Sequence, residues 1–123
     1  MATRTLAATL VLLATLMAPC AVAAHAFIDH SDPAVGSTVP TVPKVVHIWF
    51  TQELEPAFSW IQVTDKSGAA VNDGPSFVDT SNNQEMDIKL KPLPAGTYTV
   101  KWHALSVDTH TTQGDFTFQV KGG

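Results

Sequence analysis

Apolar side chains return at every second position in several short stretches, and a period of two is the mark of strands that bury one face. KVVHIWFT at 44–51 sets Val46, Ile48 and Phe50 on one side. FSWIQVTD at 58–65 reads as the next strand and stops at the Lys66-Ser67-Gly68 turn. EMDIKL at 85–90 puts Met86, Ile88 and Leu90 together and turns Asp87 and Lys89 the other way. After a tight connection at Leu93-Pro94-Ala95-Gly96, TYTVKWHA at 97–104 sends Tyr98, Val100 and Trp102 inward and leaves Thr99, Lys101 and His103 outside. DFTFQV at 115–120 repeats the rule with Phe116, Phe118 and Val120, and with Asp115 outward. Residues 72–84, the most polar segment, read as a loop holding a weak edge strand. Lys121 to Gly123 read as a frayed tail.

Turn signals punctuate these runs at Asp32-Pro33, Gly36, Pro40, Pro43, Gly68, Asp73-Gly74-Pro75, Gly96 and Gly114. Eight prolines argue against long helices. The pattern predicts an all-β domain of about seven strands, a small sandwich or Greek-key barrel, with no internal repeat and no interdomain linker.

The first 24 residues do not fit that pattern. Arg4 precedes an apolar run from Leu6 to Met17, too short to span a bilayer, and Val22-Ala23-Ala24 supplies small residues at a cleavage position. Residues 1–24 therefore read as a cleaved signal peptide, and 25–123 as a single domain. A cut after Ala23 is the alternative and would leave Ala24 ahead of His25. Cys20 follows Pro19 rather than the small residue a lipoprotein signal asks for, so the chain's one cysteine departs with the leader. What remains is an exported domain with six lysines, no arginine and eleven acidic residues, a formal charge of −5. That balance is a poor match for nucleic acid, whose phosphates need basic partners.

Cleavage after Ala24 gives His25 chemistry that an internal histidine lacks. Its α-amine and its ring Nδ1 would close a six-membered chelate on one ion, and two nitrogens suit Cu(II), which favours tetragonal N,O surroundings and stands highest in the divalent affinity order. The amine must shed its proton to bind, so uptake should weaken at low pH. Further donors lie in SVDTHTTQGDFTF, where Asp108 and His110 are two residues apart. In an extended segment this spacing puts both side chains on one face, roughly 6–7 Å apart along the backbone. Asp108 has an alternative role, that of accepting a ring N–H and orienting a ligating histidine. Asp-x-His is also a common triplet with no role beyond a turn.

The same residues resemble a known family. HAFIDHSDPAVGSTV, VVHIWFTQELEPAFSWIQVTD and LPAGTYTVKWHALSVDTHTTQGDFTFQV are similar to the periplasmic copper-resistance proteins of the CopC/PcoC type, over nearly all of the chain after the leader. The resemblance implies an Ig-like or cupredoxin-like Greek-key β-sandwich. It implies a periplasmic Cu(II) carrier, not an enzyme, with its ion on the His25 amine and imidazole, Asp108 and His110. It also implies an inner-membrane partner of the CopD type. Some members carry a separate Cu(I) site in a methionine-rich loop. Here Met1 and Met17 leave with the leader and only Met86 remains, so the expectation is a Cu(II)-only member.

Other residues receive plainer readings. His30 is placed in a surface loop near the Asp32-Pro33 turn, and His47 and His103 on exposed strand faces. Two such histidines with Asp29 are a candidate for a weak second metal site. Trp49, Trp60 and Trp102 are expected in core or inter-sheet packing. Two other functions stand beside the carrier: a monooxygenase-like copper enzyme using the same N-terminal histidine grip, and a metal-free exported Ig-like binding module.

Overall fold

The computed structural model describes residues 25–122. The leader, with Cys20 and both cleavage positions, and Gly123 lie outside the described residues. Eight strands follow one another: β1 (Ile28–Asp32), β2 (Thr38–Val39), β3 (Val45–Phe50), β4 (Trp60–Thr64), β5 (Phe77–Asp79), β6 (Asn82–Lys89), β7 (Gly96–Leu105) and β8 (Thr111–Val120). They form two four-stranded sheets, ordered β1-β3-β6-β5 and β2-β8-β7-β4. All pairings are antiparallel except that of β2 with β8. The fold is the all-β sandwich that the alternation predicts. It has eight strands rather than about seven, and one of them, β2, is only two residues long.

The core lies between the sheets. β3 contributes Val46, Ile48 and Phe50, β6 contributes Met86 and Ile88, β7 contributes Tyr98, Val100 and Trp102, and β8 contributes Phe116, Phe118 and Val120. These are the inward residues of the alternation, and Phe118, fully enclosed, should cost about 3–5 kcal/mol if cut to alanine. At the corner leading into β7 the Tyr98 hydroxyl donates to the Pro94 carbonyl at 2.5 Å, so a buried phenol keeps its polar end satisfied. Burial, chiefly, raises the Tyr98 pKa above the ordinary phenol value.

Several boundaries and orientations differ from the sequence reading. Residues Pro56–Phe58 make a turn of 3₁₀ helix, so the strand expected from 58 begins at Trp60. β8 starts at Thr111, four residues before DFTFQV, because its early inward positions are Thr112 and Gly114 and show no apolar signal. His30 sits in strand β1, not a loop. Of the three tryptophans only Trp102 is buried, meeting Phe50 edge-on with centroids 5.4 Å apart. Trp49 and Trp60 alternate with inward Ile48, Phe50 and Ile61, so they fall on the outer faces of opposite sheets.

Candidate metal centre

His25 is held where the two sheets meet. Ala26 is fully buried, which anchors the residue next to it in the core. The Thr51 hydroxyl, just past β3, donates to the His25 carbonyl at 3.2 Å and accepts from the Phe27 amide at 3.0 Å. The Thr51 amide donates to the Phe27 carbonyl at 2.8 Å. From the other sheet, the Thr112 hydroxyl of β8 donates to the Ala26 carbonyl. The backbone at His25 is thus fixed from both sides, and this sets the place where its ring lies.

That place is beside His110. The two imidazoles meet edge-to-face with centroids 4.6 Å apart and planes at 76°. His25 Nδ1 is buried and meets no hydrogen-bond partner among the described residues. A buried nitrogen without a partner is costly, and a bound cation would satisfy it. On its other side His110 reaches Asp108, with Nδ1 3.3 Å from Oδ1. His110 therefore touches both of the other residues singled out in the sequence.

Asp108 and His110 do not lie in an extended segment, as their spacing suggested. They occupy the turn between β7 and β8, and Thr109 between them has φ 74°, the left-handed region that a β-branched residue rarely enters. The turn is tied from within. The Thr109 amide donates to the Ser106 carbonyl at 2.9 Å, and the Ser106 amide to the His110 carbonyl at 3.0 Å. Asp108 Oδ1 accepts from the Ser106 hydroxyl and from the His110 amide, the latter at 3.2 Å. The Ser106 hydroxyl foremost, helped by the His110 amide and ring and opposed by burial, holds the Asp108 carboxyl below the ordinary carboxylate range. Ser106, buried and absent from the sequence reading, is the residue that sets this carboxylate. Its sequence signal is slight: it is one more turn-forming residue in a short run that also holds Asp108 and Thr109.

The remaining histidines are less bland than expected. His30 stacks on Trp49 at 4.3 Å and pairs with Asp29 at 2.7 Å. His103 lies on β7, where its Nδ1 is 3.0 Å from the Phe58 carbonyl and its ring stacks on Trp60. His47 and His103 belong to different sheets and face outward on opposite sides, so they cannot share an ion with Asp29. His47 is half-buried rather than exposed, and its Nδ1 is 2.6 Å from Asp87 Oδ1.

The CopC domain family matches residues 28–121. The chain belongs to the CopC family. Among its relatives, Protein YobA of Escherichia coli (strain K12) is 33% identical over 119 residues, covering 96% of each chain. Copper resistance protein C of Xanthomonas campestris pv. juglandis is 31% identical over 124 residues, covering 96% of this chain and 97% of that one. Copper transport protein CutJ of Bacillus subtilis (strain 168) is 33% identical over 98 residues, which are 79% of this chain but 18% of that larger protein. The crystal structure of CopC from Methylosinus trichosporium OB3b superposes with a TM-score of 0.74 at 30% identity, covering 80% of this chain and 95% of that one. The family is one of copper-resistance proteins and not of enzymes.

Proposed function

We propose that this protein is a periplasmic Cu(II) carrier serving copper resistance or homeostasis, and that its cargo sits on His25, Asp108 and His110. The observation that carries the reading is the buried Nδ1 of His25, with no hydrogen-bond partner among the described residues, beside the ring of His110 on a backbone fastened to both sheets. Once a signal peptidase has cut after Ala24, the His25 nitrogen becomes an amine and closes the chelate with that Nδ1. Asp108, kept ionised, supplies the anionic oxygen or orients His110. The donors are nitrogen and carboxylate oxygen, a set for Cu(II) rather than Cu(I). Met86, the one methionine outside the leader, is fully buried in the core and out of reach of any ion at the surface, which supports the Cu(II)-only reading.

An inner-membrane partner of the CopD type is the natural recipient. CutJ, a copper transport protein, carries a region similar to this chain within a much longer polypeptide, which supports delivery between two such parts. The reading is tested by native mass spectrometry of the secreted protein with one equivalent of Cu(II). A chain beginning at His25 that binds one ion and releases a proton is the expected result. Equal affinity in a form acetylated at that terminus would overturn the chelate.

A further inference from the structure

A second set of donors lies on the outer face of the β1-β3-β6-β5 sheet. Register places His47 of β3 opposite Asp87 of β6, and Trp49 opposite Glu85, so the three side chains His47, Glu85 and Asp87 share one surface. Their donor atoms all lie within 4.8 Å of one another. His47 Nδ1 is 2.6 Å from Asp87 Oδ1 and 3.8 Å from Glu85 Oε2. This patch is separate from the His25 site. His47 is four residues back along β3 from Thr51, about 13 Å at strand rise.

The surroundings do not explain the cluster as a plain ion pair. The Asp87 side chain is 6% exposed, and its Oδ1 meets the His47 ring. Its other charged neighbour is Glu85, a second acceptor. Burial, then Asp87, pushes the Glu85 carboxyl above its ordinary range. Among the described residues no lysine comes within ion-pair distance of either carboxylate, so the one positive partner the two can share is the His47 imidazole, with the Trp49 side chain beside Glu85. Donors around a transition ion at bond lengths of about 2.0–2.2 Å stand roughly 3–3.5 Å apart. Opening the 2.6 Å contact and closing the 3.8 Å one, each by a few tenths of an ångström, would seat an ion where a proton now bridges.

We propose that His47, Glu85 and Asp87 form a second site for a divalent transition-metal ion, independent of the His25 site. One imidazole and two carboxylates neutralise a doubly charged ion and leave a coordination position open. Cu(II) binds this set more tightly than Zn(II), following the divalent affinity order.

The test is nuclear magnetic resonance of the processed chain titrated with Cu(II) alone, with Zn(II) alone, and with Cu(II) added to the Zn(II)-loaded chain. Two distinct sets of amides should broaden with copper: residues 107–111 with Ala26, and residues 46–48 with 85–88. Zn(II) should shift the second set, and Cu(II) should displace it. Glu85→Gln and Asp87→Asn should each weaken binding at this patch about tenfold or more while the first set still broadens. His110→Ala should do the reverse. Broadening confined to 107–111 and Ala26 overturns the second site and leaves the carrier reading intact. Broadening confined to 46–48 and 85–88 overturns the His25 reading and leaves this one. Zn(II) that resists displacement overturns the preference for copper. Measuring both sites in the unsubstituted chain keeps the answer independent of how well the variants fold.

Discussion

Ser106 shows how one buried hydroxyl shapes a site that it does not enter. It donates to Asp108, and its own backbone closes the turn through His110. Ser106→Ala should therefore leave the core unchanged, return the Asp108 pKa toward the ordinary value, and weaken Cu(II) binding about 10–100-fold, the usual cost of losing an orienting group. Isothermal titration with Cu(II) checks the affinity. Asp65 gives a matching case away from the metal. The Ser67 hydroxyl foremost, with the amides of Ala69 and Ser67, lowers its pKa against the opposing effect of burial. A lowered folded pKa stabilises fully above the unfolded carboxylate value and loses that contribution as pH falls through the folded value. Asp65→Asn should flatten the acid limb of the stability curve below the ordinary carboxylate range, as read by Tm against pH.

At the scale of strands, the alternation was legible wherever a strand's inner positions are all apolar, as in β3 and β7. It faded where they are not. β1 reads IDHSD and carries a register shift between Ile28 and His30, so nothing in its sequence has a period of two. The front half of β8 hides because Gly114 leaves its inner position empty for Trp102. The two residues face each other across the β7-β8 ladder, and a Cβ on Gly114 would stand 2.9 Å from the indole. Gly114→Ala should cost about 1–3 kcal/mol through overpacking, and thermal unfolding should show a fall in Tm. The candidate site was legible in its residue types and not in its shape. Spacing suggested an extended segment with Asp108 and His110 on one face, and could not show the turn and the left-handed Thr109 that lie there instead. The His47–Asp87 pair joins residues forty apart, and only the order of strands in the sheet brings them together.

Seen whole, the molecule carries its two groups of donors on different parts of one sandwich, and their pH responses should differ from its stability. The His25 amine has a reference pKa of about 7.7–8.0, so Cu(II) affinity should fall steadily from pH 8 to pH 6. Far-ultraviolet circular dichroism should stay constant over that range, because His25, Asp108 and His110 all lie outside the strands. A form with one alanine added ahead of His25 should fold alike and lose much of its affinity, since its chelating amine becomes an amide.

The fastening of His25 has one more consequence. The residue hangs from Thr51 on one sheet and faces His110 on the turn of the other. An ion held there would tie the two layers together at their open end. Loading would then slow every opening that begins at this edge, and the gain would grow with free copper as binding linkage requires. Proteases cut chains that have opened, so the loaded protein should outlast the empty one wherever both meet the same enzymes. Its abundance would follow copper with no change in its synthesis, and the lifetime of the molecule would itself record whether it carries cargo.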